Sequence, residues 1–433
     1  MKHCNGNELE EQTVKIGFFS DTYFPQVSGV STSIRTLKEQ LEKRGHQVYI
    51  FTTTDPNALD PEKDIIRMPS VPLISFKDRR IVVRGMWYAY LIAKELELDL
   101  IHTHTEFGTG LLGKLVGKKL GIPVIHTYHT MYEDYLHYIA NGKVLRPAHV
   151  KYFSRLFANH TTGVVCPSER VIDKLRQYGV DAPMRVIPTG IEIDKFKRPD
   201  ITATMKTELR QSLGIASDEL MLLSLSRLSF EKNIQAIITG FQEIALKMPQ
   251  TKLVIVGKGP YRDDLEELVT TLQLTDRVVF VGEVPNDEVA IYYQAADYFV
   301  SASTSETQGL TYTEAMAAGT QLVVEGNDYL NNLIDDETLG KTFATDGDFA
   351  ECFEAYVASG VKSNREILES KMHSISADHF GEAMLAFYLD MTAYYHEKAL
   401  VKENDQKRKK IAVKLKPTLK KVVKKIPEAS QKK

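Results

Sequence analysis

The sequence predicts an α/β protein made of two doubly wound, parallel-sheet halves of similar size. Short apolar runs alternate with amphipathic segments along most of the chain, and that rhythm stops once and then restarts. In addition, the residues able to carry chemistry fall directly after the apolar runs, where parallel sheets bind ligands.

The first run, VKIGFFS (14–20), reads as a buried strand, followed by the loop DTYFPQVSGV and an amphipathic helix to about Arg44. HQVYIFTT (46–53) is the second strand, and DLIHTH (99–104), PVIHTYH (123–129) and GVVCPS (163–168) repeat the pattern with helical segments between them. The proline-bearing, weakly periodic stretch VIPTGIEIDKFKRPD (186–200) breaks the rhythm. It resumes with LMLLSLSRL (220–228), TKLVIVGKG (251–259), DRVVFVG (276–282), DYFVSAS (297–303) and TQLVVEG (320–326). The expected divisions are an N-terminal Rossmann-like domain at 14–190, a second at 191–375, a helix at 376–400 and a basic tail at 401–433.

A length of 433 residues exceeds one ordinary core, and 43% hydrophobic with 26% charged residues is the balance of a globular chain. No run of about eighteen apolar residues occurs, so no spanning helix is expected. The start MKHCNGNELEEQT lacks an apolar signal core, and Cys4, Cys166 and Cys352 have neither paired nor metal-type spacing, which points to a reducing cytoplasm.

Net charge is uneven. Residues 401–433 hold 13 Lys+Arg and 3 Asp+Glu, a net +10, which leaves −13 for residues 1–400. In KRKKIAVKLKPTLKKVVKKIP the lysines interleave with Ile411, Val413, Leu415, Leu419, Val422, Val423 and Ile426, as in an interfacial amphipathic segment. A disordered solubilising tail is the competing reading. The tail has no aromatic residue to stack on bases, which argues against nucleic acid.

In SETQGLTYTEAMAAGT (305–320), Glu306 and Glu314 stand eight residues apart around Gly309, just after a strand and at the start of a helix. Unpaired amides and the positive dipole end there favour phosphate or hydroxyl oxygens, and two carboxylates could grip vicinal sugar hydroxyls. Spacing alone favours a solvated loop and helix face. Arg227 and Lys232 in SRLSFEKN add the charge that a diphosphate needs, again at a strand end.

These stretches, with FFSDTYFPQVSGVS, PVIHTYHT, IPTGIEIDKF, VIVGKGP and VFVGEVP, resemble the retaining GT-B glycosyltransferases of glycosyltransferase family 4, from about Val14 to about His396. The resemblance implies that Arg227 and Lys232 hold a donor diphosphate, and that Glu306 with the amides of Gln308, Gly309 and Leu310 holds the transferred hexose. It implies further that Glu314 takes the ribose hydroxyls, that Gly29 and Gly257 allow close approach to the donor, and that His129 faces the sugar. As in relatives, the helix at 376–400 would pack back on the N-terminal domain. Where many relatives read EGFGL this chain reads ETQGL, which leaves the donor sugar open.

The implied chemistry needs no enzymic nucleophile and no essential metal, the cations and helix amides stabilising the departing nucleoside diphosphate. The nearest metal-like stretch, Asp346 to Asp348, reads as a surface turn. His129 also reads as a satisfied strand-end histidine among His126, His137 and His149, and the resemblance alone favours a role for it.

The acceptor side is read from FKDRRIVVRGMWYAYLIAKEL (76–96), where Lys77, Arg79, Arg80 and Arg84 lead into Trp87 and its aromatic neighbours. Such a segment suits an anionic bilayer, and a plain core helix is the alternative. Aromatic and basic residues at 129–160 extend the possible membrane-facing mouth. Membrane contacts are also expected from the tail cations Lys407, Arg408, Lys409, Lys410, Lys420, Lys421, Lys424 and Lys425.

Within the family, DTYFPQVSGVSTSI, HTYHTMYEDYLHYI and SETQGLTY resemble the bacterial diacylglycerol glucosyltransferases. That implies transfer of glucose from UDP-glucose to the 3-hydroxyl of 1,2-diacylglycerol by an enzyme bound peripherally to the inner face of the cell membrane. Two alternatives remain: addition of a second glucose or galactose to a monoglucosyl lipid, and a binding or scaffold protein on an inactive transferase fold.

Overall fold

The structure, a computed structural model, describes residues 13–26, 28–58, 63–73, 76–82, 85–133, 146–303 and 308–423. The first half contains β1 (Lys15–Phe19), α1 (Gly29–Lys43), β2 (Gln47–Thr53), β3 (Ile65–Met68), β4 (Ser70–Leu73) and β5 (Phe76–Val82). It continues with α2 (Met86–Glu95), β6 (Leu100–Thr103), α3 (Gly108–Leu120), β7 (Val124–Thr127), α4 (Pro147–Ala158), β8 (Gly163–Cys166), α5 (Glu169–Tyr178) and β9 (Met184–Val186).

The second half runs through α6 (Ala203–Ser212), β10 (Leu220–Leu225), α7 (Ile234–Lys247), β11 (Thr251–Val256), α8 (Arg262–Thr271), β12 (Val278–Gly282), α9 (Val289–Ala295) and β13 (Tyr298–Ser301). It ends with α10 (Leu310–Ala318), β14 (Gln321–Glu325), α11 (Asp328–Leu333), β15 (Gly340–Phe343), α12 (Phe349–Ser359), α13 (Arg365–Ile375) and α14 (Ala377–Val423).

Two parallel sheets result, seven strands in the order β3-β2-β1-β6-β7-β8-β9 and six in the order β12-β11-β10-β13-β14-β15, beside the antiparallel pair β4-β5. Ten apolar runs of the sequence appear as strands. The edge strands β3, β9 and β15 and the β4-β5 pair were not among them, and FKDRRIV forms a hairpin strand before α2 begins. Edge strands are short and covered on fewer sides, so their sequences need not be apolar throughout.

Strand order reverses between β1 and β6 in the first sheet and between β10 and β13 in the second. Those two positions are the topological switch points, where loops part and a crevice opens outside the strand ends. The loops concerned begin at Ser20, His104, Ser226 and Ala302.

Each sheet is covered on both faces. In the second half Phe241, Leu253, Phe349 and Phe353 fill one side, and Tyr293, Phe299, Tyr312 and Leu322 the other. In the first half, Phe380, Met384, Phe387, Tyr388 and Met391 of α14 pack with Ile16, Ile34, Leu37 and Ile50. Their spacing of four, three, one and three residues is a helical stripe, so α14, which follows the second half in the chain, completes the core of the first. Arg44 at the end of α1 secures the contact by an ion pair to Asp378 at 2.6 Å.

α1 is begun by a capping box in which Ser31 N–H donates to Ser28 Oγ at 3.2 Å and Ser28 N–H donates to Ser31 Oγ at 2.8 Å. The chain crosses between halves twice, through residues 187–191 and 375–377. There Ile191 N–H donates to Ile375 O at 2.9 Å and Ala377 N–H to Ile191 O at 2.7 Å. Among the described residues no helix is long and apolar enough to cross a membrane.

Candidate active site

The loop after β10 brings Arg227 and Lys232 to the switch point of the second sheet. Arg227 is exposed, and Lys232 ends a single 3-10 turn, Phe230–Lys232. The loop lies flat against the turn after β11: Leu228 N–H donates to Lys258 O at 3.0 Å, and Tyr261 N–H to Leu228 O at 3.1 Å. This explains the glycines of VIVGKGP. A Cβ on Gly257 would stand 1.9 Å from Ser226 O, and one on Gly259 2.0 Å from Leu228 O. Gly257 therefore shapes the cationic loop through backbone contact, whatever it does for a ligand.

The neighbouring loop, after β13, delivers the acidic motif. Glu306 lies outside the described residues. Gly309, at φ 80° in the region that favours glycine, is the N-cap of α10, so the amides of Leu310 and its successors stand at a helix N-terminus. Glu314 lies one turn further on, where Tyr293 Oη donates to its Oε2 at 2.8 Å. Burial raises the Glu314 carboxyl to about 7, against the lowering effect of the Tyr293 bond.

Gln308 behaves differently from the expectation of an amide donor alone. Its side chain is buried, with Oε1 accepting from Thr189 N–H at 2.7 Å and Nε2 donating to Thr189 O at 2.7 Å.

In the first half, Gly29 opens α1, and a Cβ there would meet nothing within 4 Å. His129 follows β7 and pairs with His104, which follows β6: His104 Nδ1 and His129 Nε2 are 3.1 Å apart. Burial, with His126 nearby, holds the His129 imidazole down at about 3, and burial also holds His104 well below the usual range. A neutral pair results, in which one ring donates to the other, so each ring is oriented by its neighbour.

His104 escaped the sequence reading, although its place at a strand end beside His102 was a usable signal. Asp21 and Glu106 escaped as well. Asp21 accepts from Thr109 N–H at 2.8 Å and Thr105 Oγ1 at 2.7 Å, tying the first loop to the start of α3. Glu106 accepts from the Tyr132 hydroxyl and pairs with His126 Nε2 at 3.1 Å.

An apolar face adjoins this end of the sheet. Phe107, Leu111 and Leu115, four residues apart on and just before α3, are exposed, as are Met86, Trp87, Tyr88 and Leu91 on α2 and Tyr152 and Leu156 on α4. Phe107 stacks on Phe153 at 5.7 Å and meets Tyr132 edge-on at 5.3 Å, so the stripe starts beside the Glu106 cluster. Lys119 Nζ lies 5.4 Å from the Trp87 ring centre and 5.6 Å from that of Tyr90. Aromatic, aliphatic and cationic groups thus share one surface. Arg80, expected among its cations, instead donates to Ser70 Oγ at 3.1 Å and Ser70 O at 2.9 Å.

Arg84, Lys424 and Lys425 lie outside the described residues, as do the side chains of Lys77, Arg79, Lys407, Arg408, Lys409, Lys410, Lys420 and Lys421. Elsewhere His373, His379 and Glu382 bring ligand atoms within 4.8 Å of one another, but Arg44 stands 4.0 Å from Glu382 and competes with a cation for it.

Comparison with known proteins agrees with this geometry. The family description Glycosyltransferase Family 4 matches residues 27–195, and Glycosyl transferases group 1 matches residues 205–364. The chain is 51% identical to a protein of Streptococcus pneumoniae named alpha-monoglucosyldiacylglycerol synthase, over 91% of this chain and 88% of that one. An alpha-monoglucosyldiacylglycerol synthase of Acholeplasma laidlawii is 35% identical over 76% of this chain and 85% of that one. The solved sucrose-phosphate synthase of Thermosynechococcus elongatus superposes with a TM-score of 0.70 at 22% identity, covering 88% of this chain and 99% of that one, which shows a common GT-B fold. With both halves matched in order and half of the aligned positions shared with a relative of nearly equal extent, the chain belongs to glycosyltransferase family 4.

Proposed function

We propose that the protein transfers glucose from UDP-glucose to the 3-hydroxyl of 1,2-diacylglycerol, with retention of configuration, giving alpha-monoglucosyl-diacylglycerol at a membrane surface. The observation that carries this reading is the 51% identity, over nearly the whole chain, with a protein named for that product. The arrangement of charge supports it: cations after β10 and helix amides after β13 meet at one switch point, as a sugar diphosphate requires.

When the bond between the anomeric carbon and the diphosphate breaks, negative charge grows on phosphate and positive charge on the sugar. Arg227, Lys232 and the α10 amides stabilise the first, without a call on a divalent ion. Glu306 and the amides from Gln308 to Leu310 hold the hexose, and Glu314 accepts from the ribose hydroxyls. The neutral His129, oriented by His104, presents a hydrogen-bonding nitrogen to the sugar from the opposite half. A phosphate oxygen on the departing side takes the proton of the lipid hydroxyl, which keeps the new bond on the face the old one left.

The lipid would reach the cleft over the α2–α3–α4 face. Exposed aliphatic and aromatic residues there suit the interfacial region, with Lys119 and the basic tail at the head groups. Purified protein, given dioleoylglycerol in anionic vesicles with UDP-glucose or UDP-galactose, tests this directly. An α-linked hexosyl-diacylglycerol from UDP-glucose alone, read by mass and anomeric NMR, is the expected product. A dihexosyl lipid formed only from supplied glucosyl-diacylglycerol would overturn the acceptor, and product from UDP-galactose alone would overturn the donor.

A further inference from the structure

The crossover between the halves is a knot of hydrogen bonds centred on Thr189. On one side its Oγ1 lies 2.8 Å from Ser33 Oγ in a buried contact with α1, one helical turn beyond Gly29. On the other its N–H and C=O are both taken by the Gln308 amide, each at 2.7 Å, across 119 residues of sequence. The remaining Nε2 hydrogen of Gln308 faces the Tyr329 hydroxyl at 3.4 Å. The crossing strands are so close that a Cβ on neighbouring Gly190 would stand 2.1 Å from Ser376 O.

This pairing has a particular chemistry. A primary amide offers an acceptor and a donor side by side and therefore matches the N–H and C=O of one extended residue, much as a neighbouring strand would. An apolar side chain at 308 leaves two buried peptide groups without partners, and a carboxylate sets an oxygen against the Thr189 carbonyl. Gln308 also directly precedes Gly309 and the α10 amides, so whatever fixes its side chain fixes the start of the donor loop.

We propose that Gln308 is a positioning residue which, through Thr189 and Ser33, keys the donor loop of the second half to α1 of the first, so that both sides of the cleft move about one pivot. The role given to the loop rests on the function proposed above. The two links have separable effects: the Gln308–Thr189 pair sets the donor loop and hence donor affinity, whereas the Thr189–Ser33 pair sets the presentation of the donor to the other half and hence turnover.

Gln308→Glu tests the first link, since a protonated glutamic acid reproduces the amide's donor and acceptor and a carboxylate does not. Titration calorimetry with UDP between about pH 8 and about pH 5.5, expressed as the ratio to wild type at each pH, should give affinity about tenfold weaker at the alkaline end. The ratio should return to within about threefold at the acid end. Ser33→Ala removes one buried hydroxyl and should lower kcat for lipid glucosylation about three- to tenfold, with UDP affinity unchanged.

A Gln308→Glu ratio that does not vary with pH overturns the proposal. So does a Ser33→Ala variant that alters only Tm, which would mark the contact as structural. Wild-type protein that binds UDP yet forms no glucosyl lipid would instead overturn the proposed acceptor reaction, while the UDP titration still reads the Gln308 link.

Discussion

Glu314 combines two demands that oppose each other. Burial raises its carboxyl from an ordinary 4.5 to about 7, so the neutral acid persists to near neutral pH, while the ribose contact proposed above calls for the carboxylate as acceptor. For a carboxyl raised in the folded state, stability is greatest below the unfolded value and is lost as pH rises through the folded one. Without donor the protein should therefore lose up to roughly 3 kcal/mol from this group between pH 4.5 and 8. Glu314→Gln should raise Tm at pH 8 in the absence of UDP and make UDP affinity nearly independent of pH, whereas wild-type affinity should strengthen through about pH 7. A wild-type UDP affinity flat across that range would remove Glu314 from the ribose. In the proposed reaction Arg227 and Lys232 act where charge develops in the transition state, so Arg227→Ala and Lys232→Ala should each lower kcat by about a hundredfold. Wild-type turnover should survive chelator, and a loss restored by added magnesium would show that the two cations are insufficient.

α3 illustrates at the scale of one element what a sequence does and does not reveal. In GTGLLGKLVGKKL two apolar pairs lie side by side, Leu112 and Val116 buried and Leu111 and Leu115 exposed, each pair four residues apart, so spacing does not say which pair faces in. Only packing against α2 and β1 decides which side faces out, so the stripe from Phe107 to Leu115 was invisible before the fold. Strand ends are different. Parallel strands buried on both faces announce themselves as apolar runs, which is why Arg227, Lys232, Gly309 and Glu314 could be placed after strands from the sequence, while the roles expected of them came from the family resemblance. Gln308 was placed in the loop after β13, but its side-chain pairing could not be foreseen, since it answers a residue 119 positions away. His104 needed the pairing of β6 with β7 before its contact with His129 could be seen. The α3 stripe makes its own prediction. Leu111→Glu with Leu115→Glu should weaken sedimentation with anionic vesicles, leaving the share held by the basic tail, and lower transfer to vesicle-borne diacylglycerol, while UDP affinity and Tm stay within error. Unchanged vesicle binding would remove this face from the membrane.

The whole molecule is an electrostatic dipole along its sequence, −13 over residues 1–400 and +10 over residues 401–433. Because α14 runs unbroken from Ala377 to Val423, the two charge blocks share one helix of about 70 Å that starts in the core of the first half. In the membrane docking proposed above, an anionic bilayer would attract the end of that helix and repel the net charge of the body, and the apolar face of α2, α3 and α4 would oppose the repulsion without charge. Salt acts on both electrostatic terms and on neither apolar one. Full-length protein, dominated at short range by the tail, should therefore bind vesicles of about 30% anionic lipid less well as salt rises from about 0.05 M to about 0.5 M. A variant ending at Leu400 keeps the apolar face and the −13 body, so its weaker binding should strengthen over the same range as repulsion is screened. Opposite slopes in vesicle sedimentation would assign attraction to the tail and insertion to the face; parallel falling slopes would mean that cations on the body hold the membrane and that the tail does other work.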